Sequence, residues 1–404
     1  MRLFVGICPE PKKILSQPFW LSLRFFSKKD DLNNKDYIQS AEKTVSAFID
    51  GKRNFVAWRI PGEEQGHAFS VGEISRVDVK VFSPGNFEGA FMVAPFQLSE
   101  GLFALWPEEK PTLFEVNKSV KDNTPFQMEA ESAEVRSLYG TSFSVVKQAL
   151  DKKLVDKVVL ARKLNVDDVP SAILPGVFEL LCITYPNAFV YFIDHPETGR
   201  WMGASPELFL DNSFSCFRTV ALAATRKTEL HSEDWNMKEL EEQGVVSVFL
   251  EEVLSGYGIS QYKKSGPDPV RAGAMIHLRT SYQFKDDKIQ KQPGKFIDSL
   301  HPTPAVGGYP KEKSLDVINK AEMFERGFYS GFLGPVSKEG FRFFVNIRSM
   351  QLGQNNAVLY LGGGITRGSR EENEWEETRL KARTLLSVLQ SVKQKFFNES
   401  IHLR

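Results

Sequence analysis

The sequence has no excess of charge of either sign, because its 404 residues carry 51 Lys and Arg against 51 Asp and Glu. Proteins that bind nucleic acid or an anionic membrane through their overall charge have a basic excess, so neither partner is expected. Hydrophobic residues make up 42% of the chain and charged residues 25%. That composition is typical of a folded protein with a large core and excludes disorder for most of the chain.

Cysteine and long apolar runs are scarce as well. Cys8, Cys182 and Cys216 are far apart without a C-x-x-C motif, which argues against zinc or redox chemistry and favours a cytoplasmic location. No apolar run approaches the roughly 18 residues of a membrane span, and residues 1–13 lack the features of a signal peptide. The sequence also lacks H-E-x-x-H, P-loop and Gly-x-Ser-x-Gly motifs, so the common hydrolase and nucleotide-phosphate chemistries are disfavoured.

The sequence does contain many short strand patterns with few helices between them. Residues 1–135 form a strand-rich region, which includes a strand pattern at 74–82, and we expect it to be integrated into the same fold as the remainder. Residues 136–404 form the second region, where strand patterns such as 157–166 alternate with helical segments near 235–254 and at the C-terminus. This arrangement predicts an α+β fold with helices on the outer faces of sheets, without alternating βαβ units.

Two helical segments place glutamates on faces that should be apolar. In both, an apolar stripe continues towards the N-terminus into two carboxylates, Glu239 and Glu242 in the first helix and Glu374 and Glu377 in the second. Inward carboxylates are costly unless they are paired or bind a cation, and oxygen ligands without His or Cys suit Mg²⁺. The alternative is that they are surface glutamates in first turns, where the helix dipole favours them.

Four other features combine apolar surroundings with polar or glycine residues. Lys157 begins an apolar strand, either as a site residue or as an edge lysine that extends to water. Glu207 follows a Ser-Pro turn, where a solvated turn residue is the alternative. Arg348 could bind a carboxylate bidentately or form a structural salt bridge. The glycines at 362–364 could admit a ligand to the backbone or form a tight turn.

Taken in order, these segments resemble the chorismate-utilising enzymes, which include the anthranilate, aminodeoxychorismate, isochorismate and salicylate synthases. The resemblance covers roughly residues 140–385. It implies an α+β fold of large antiparallel sheets packed on each other, with helices on the outer faces. The matching motifs are DKVVLAR (156–162), GASPELF (203–209), ALAATR (221–226), KELEEQ (238–243), HPTPAVGG (301–308), ERGFYSG (325–331), VNIRS (345–349), GGGI (362–365) and EWEETRLK (374–381).

The resemblance also implies roles for individual residues. It makes Glu242 and Glu377 direct ligands of Mg²⁺, with Glu239 and Glu374 supporting the ion through water. It makes the substrate a small molecule, chorismate. The residues it places around this substrate are Ala224, Thr225, His301, Tyr329, Arg348, Gly362, Gly364 and Lys381.

Within this family, the nucleophile separates the activities. Members that use ammonia usually have Gln where this chain has Lys157, and aminodeoxychorismate synthases often have a lysine where it has Ala223. The resemblance therefore favours isochorismate formation, with Lys157 as the base that activates water and Glu207 as the acid, on opposite sides of the ring. This acid role requires a raised pKa of Glu207, which burial would produce.

The remaining expectations follow from this assignment. Salicylate synthase is the alternative activity, and anthranilate synthase component I is less favoured. No glutamine amidotransferase subunit is expected, and the chain should be a monomer or a weak homodimer. Menaquinone and siderophore synthesis remain open as destinations of the product. Two departures from the family pattern, Ala224 in place of glycine and Gln243 in place of histidine, should affect ring placement and the surroundings of the metal.

Overall fold

The computed structural model describes residues 38–116, 126, 128, 131–227, 235, 237–272 and 275–402, without the side chains of 224–227, 238, 272 and 399–402. The helices are α1 Ala41–Asp50, α2 Ala133–Asp151, α3 Leu174–Thr184, α4 Met237–Gly256, α5 Asp287–Lys291, α6 Pro293–Leu300, α7 Lys311–Ala321 and α8 Glu371–His402. The strands are β1 Gln39–Ser40, β2 Phe55–Arg59, β3 Gln65–Val77, β4 Phe91–Ala94, β5 Leu102–Pro107, β6 Thr112–Glu115, β7 Lys157–Asp167, β8 Phe189–His195, β9 Gly199–Ser205, β10 Leu208–Ser213, β11 Cys216–Lys227, β12 Lys263–Ala272, β13 Met275–Phe284, β14 Gly308–Tyr309, β15 Phe332–Ser337, β16 Gly340–Val345, β17 Ser349–Leu352 and β18 Asn356–Thr366.

These strands form two sheets that share the long strand β3. The first sheet has the order β1-β6-β3-β2-β8-β9-β17-β18-β7-β14. The second has the order β12-β13-β11-β10-β16-β15-β4-β5-β3. All pairings are antiparallel except that of β1 with β6. The predicted α+β class with large antiparallel sheets is therefore confirmed.

The two sheets pack face to face, with helices on their outer faces. Between them lies an aromatic core in which Phe189 of β8 stacks on Phe344 of β16 at 4.3 Å between ring centroids. Helices α1, α3 and α8 cover the first sheet, and α4 and α6 cover the second. Burial of these apolar faces is the main favourable free-energy term of folding.

Strands from the N-terminal region pair directly with strands of the C-terminal region. Strand β2 pairs with β8, and β4 pairs with β15. The domain boundary near 135 stays a prediction, since these pairings do not locate it. Residues 1–37, with Cys8 and the segment examined for a signal peptide, lie outside the described residues.

The strand predicted over 74–82 was wrong in its second half. Strand β3 ends at Val77, and residues Val79–Val81 form a short 3₁₀-helix. The Asp78 side chain accepts a hydrogen bond from the Lys80 backbone N–H at 2.9 Å. This local bond competes with strand pairing, as is usual for aspartate at turns.

Candidate active site

The candidate site lies where strands β7 and β18 meet helices α4 and α8. Lys157 is the first residue of β7 and stands opposite Thr366 of β18. Its side chain is only 1% exposed, and its Nζ atom lies 3.0 Å from Oε1 of Glu242 on α4. Lys157 is thus a buried, paired residue, and the edge-lysine interpretation is excluded.

The glycine run provides the space for this pair. Gly362 to Gly364 lie inside strand β18, so the tight-turn alternative is wrong. A Cβ atom at Gly364 would lie 2.4 Å from Glu242 Oε1 and 2.9 Å from Lys157 Cε. At Gly362, a Cβ atom would lie 2.6 Å from the hydroxyl oxygen of Tyr329. Any larger residue at either position would therefore displace a site side chain.

Glu207 lies between strands β9 and β10 and is 4% exposed. It is therefore not the solvated turn residue that the sequence left open. Burial raises the pKa of its carboxyl to about 8, although the positive charges of Lys157, Arg348 and Lys381 act in the opposite direction. Glu207 is thus held as a carboxyl that is protonated near neutral pH.

Arg348 is buried in the turn between β16 and β17, with a left-handed backbone φ of 52°. Its Nη2 atom lies 3.8 Å from the sulfur of Met275, a weak acceptor. Within the described part of the chain no salt bridge to Arg348 is formed, so the structural salt-bridge alternative finds no support. Backbone strain combined with a buried guanidinium that has no carboxylate partner is typical of an anion-binding position.

The carboxylates of α8 extend the site on the other side of the glycine run. Lys381 Nζ donates to Glu377 Oε1 at 2.6 Å and to the carbonyl oxygen of Gly362 at 2.9 Å. Glu374 is 1% exposed, and its Oε2 lies 3.6 Å from the position of a Cβ atom at Gly363. Glu239 lies one turn before Glu242 on α4. The inward orientation predicted for the helix stripes is thus observed for Glu242 and Glu374.

The carboxylates of the site can give a hard cation one or two ligands, but not a complete coordination shell. Among the described residues no group of three or more His, Cys, Asp or Glu side chains is assembled for a metal. Mg²⁺ commonly takes one or two protein carboxylates and completes its coordination with water or substrate oxygens. Glu242 and Glu377 meet that requirement by chemistry, and each lies within ion-pair distance of a lysine amine, at 3.0 and 2.6 Å.

Three expectations have different outcomes. The His301 ring nitrogen lies 2.9 Å from the carbonyl oxygen of Phe96, and the ring packs among aromatic side chains, so its substrate contact stays a prediction. Ala224 and Thr225 lie on strand β11, but their side chains are outside the described residues.

Gln243 donates to the Ala221 carbonyl oxygen at 3.1 Å and to Thr280 Oγ1 at 3.0 Å. It therefore anchors α4 to the second sheet, and its effect on the surroundings of the metal stays a prediction.

Glu322 and Arg326 form a buried ion pair beside β7, and no sequence motif predicted a role for them. Their spacing of four residues was the available signal, although such spacing usually marks an exposed helical pair. No helix in the described part of the chain has the length and hydropathy of a transmembrane segment.

A two-sheet fold with a buried lysine, a buried glutamate of raised pKa and an arginine without a carboxylate partner is typical of a site for a small anionic ligand. The sequence profile described as chorismate binding enzyme matches residues 96–390, and the chain belongs to this family. The resemblance seen in the motifs is thereby confirmed.

Individual relatives agree with this assignment. The chain is 31% identical over 245 residues to the isochorismate synthase EntC of Escherichia coli (strain K12), a match that covers 58% of this chain and 62% of that relative. In fold it is similar to the menaquinone-specific isochorismate synthase MenF of Escherichia coli, with a TM-score of 0.65, 20% identity and coverage of 83% and 88%. Anthranilate synthase component I of Streptococcus pneumoniae TIGR4 has the same fold, with a TM-score of 0.61, 15% identity and coverage of 92% and 98%. The fold is therefore shared between different activities, and the site must distinguish them.

Proposed function

We propose that this protein is an isochorismate synthase, which adds water at C2 of chorismate with loss of the C4 hydroxyl group. The observation that carries the proposal is the burial of both Lys157 and Glu207, which supply a base and an acid. The similarity to isochorismate synthases supports it.

In the proposed reaction, Lys157 acts as a neutral amine and removes a proton from water as the water oxygen bonds to C2. Glu207 gives its proton to the departing C4 hydroxyl, which leaves as water while the ring double bonds shift. A carboxyl with its pKa raised to about 8 is suited to this donation near neutral pH. The reverse reaction exchanges the two roles.

The substrate carboxylates require positive partners. Arg348 provides a planar fork that matches a carboxylate, and the Tyr329 hydroxyl beside Gly362 is a further donor. We propose that Glu242 and Glu377 hold Mg²⁺, with Glu239 and Glu374 supporting through water. When bound, this ion would supply positive charge for the second carboxylate of the substrate.

The proposal also covers the partners and the cellular location of the enzyme. Because water is the nucleophile, no glutamine amidotransferase subunit is needed, and the free chain should act on chorismate alone. We place the reaction in the cytoplasm, since three cysteines in 404 residues are few for a disulfide-rich secreted protein.

The experiment is to incubate the purified protein with chorismate and Mg²⁺ and to separate the products by chromatography. We expect isochorismate from the natural sequence and a rate about 10³-fold lower from Lys157→Ala or Glu207→Gln, with chorismate binding retained. Lys163→Ala is the control, because Lys163 lies on the same strand but contacts the rings of Phe324 and Tyr360. Salicylate and pyruvate as products would favour the alternative activity, and anthranilate formed as fast from ammonium would refute the choice of water.

A further inference from the structure

Strand β7, which begins with Lys157, has an incomplete neighbour on one edge. Strand β18 pairs with it along its whole length, whereas β14 pairs only with Lys157 and Val158. One more backbone bond, from the Val159 N–H to the carbonyl oxygen of Gly307 at 2.7 Å, continues this edge. Beyond that point, the backbone groups of β7 need other partners, because buried N–H and C=O groups are rarely left unpaired.

The Glu322–Arg326 ion pair supplies these partners. The Val159 carbonyl oxygen accepts from Arg326 Nη2 at 2.7 Å, and the Ala161 N–H donates to Glu322 Oε1 at 2.7 Å. The two side chains thus replace the missing strand along the edge. Because they act on residues two and four positions after Lys157, they fix the edge of this strand opposite β18 close to its start.

The same pair fixes the loop that crosses the start of the strand. Arg326 Nη1 donates to the Val306 carbonyl oxygen at 2.7 Å, while Nε and Nη2 donate to the two oxygens of Glu322 at 2.8 and 2.6 Å. Both side chains are 2% exposed. The planar guanidinium joins three segments at once, which the single point charge of a lysine could not do.

We infer that Glu322 and Arg326 are positioning residues for Lys157, and this inference rests on the proposed function. They hold β7 and the loop before β14 so that the Lys157 amine meets the space left by Gly364. Neither residue needs to contact the substrate. A small displacement of a reacting group lowers the rate strongly, so loss of the pair should act on turnover as well as on stability.

The test compares two buried ion pairs. In Arg326→Lys and Glu322→Gln we expect kcat for isochorismate formation to fall about tenfold or more. In both variants, amide hydrogen exchange in the 157–162 segment should become faster. The control is Arg218→Lys, because Arg218 pairs with buried Asp211 at 3.0 Å on strands β10 and β11, away from Lys157. It should lower the melting temperature while leaving kcat and exchange in that segment within about twofold.

The outcomes separate the two claims. If the natural sequence converts chorismate but both variants, once folded, retain kcat within twofold, the positioning role is wrong and the pair is only structural. If the natural sequence makes no isochorismate, the proposed function fails first. If Arg326→Lys does not fold, Glu322→Gln decides, because the amide keeps the size of the side chain and removes only the charge that holds Arg326.

Discussion

Arg348 and Arg326 are both buried, yet their surroundings differ completely. Arg326 donates to two backbone carbonyl groups and to both oxygens of Glu322, so its charge is fully compensated inside the protein. Arg348 has the sulfur of Met275 as its hydrogen-bond acceptor among the described residues. A buried charge without a strong partner costs several kcal/mol. The protein tolerates this cost at Arg348, as the proposed role of this residue in binding a substrate carboxylate requires.

The same contrast separates two buried glutamates. Glu322 accepts hydrogen bonds from Arg326 and from a backbone N–H group, as expected for an ionised carboxylate with a structural role. Glu207 lies in a site where burial outweighs three positive charges and raises its pKa to about 8. Burial by itself therefore does not mark a functional residue. What distinguishes a candidate functional residue is how completely its polar group is paired with other groups of the protein.

The largest loss of activity is expected at Glu242 and Glu377, the two carboxylates that pair with lysines. Glu242→Gln or Glu377→Gln should abolish turnover with the fold intact, because a neutral amide holds a divalent cation weakly and opens no cavity. Calorimetry should show the matching loss of Mg²⁺ affinity. Glu241→Gln and Glu376→Gln are the controls, since both side chains are exposed on the same helices. Full activity after treatment with a chelator would contradict the metal assignment.

The second prediction concerns the arginine that lacks a carboxylate partner. Arg348→Lys should raise the KM for chorismate about tenfold or more, because an ammonium group lacks the planar fork that binds a carboxylate bidentately. Steady-state kinetics measures this directly. Arg200→Lys is the control, since Arg200 already pairs with Asp194 at 2.9 Å. An unchanged KM would place Arg348 with the structural arginines.

The third prediction uses the raised pKa of Glu207. The forward reaction needs the protonated carboxyl, so kcat should fall as the pH rises through about 8. The decrease should approach about tenfold per pH unit above that value. A rate profile between pH 6 and 9.5 measures it, with circular dichroism to verify folding. A rate that stays constant across this range would mean that Glu207 is not the acid.

The smallest predicted effect is a change in stability at Glu179, a carboxyl outside the site. Burial raises the pKa of Glu179 from 4.5 to about 7, and the negative charge of Glu42 adds to the shift. Because the folded pKa is the higher one, its ionisation destabilises the fold as the pH rises from 4.5 through about 7. Glu179→Gln should therefore increase the free energy of unfolding by about 1 kcal/mol at pH 8. Chemical denaturation at pH 8 and pH 4.5 should show the gain at the higher pH only.

Much of the site follows from local patterns. Helical periodicity alone directed Glu242 and Glu374 inward, and strand character placed Lys157 at the start of an apolar strand. The motifs supplied the family, which the match over residues 96–390 confirms. Local reasoning failed at 74–82, where the side chain of Asp78 ends a strand that the β-branched residues favoured.

The sequence by itself determined the fold class, the family and the identity of the side chains that could react. Only the tertiary structure decided which buried charges are compensated. Glu322 bonds to Ala161 across 161 positions of sequence, and Lys157 meets Glu242 through the register of β7 with β18 and the packing of α4. Compensation of a charge depends on atoms within about 3 Å, and that proximity arises from sheet register and helix packing between distant segments.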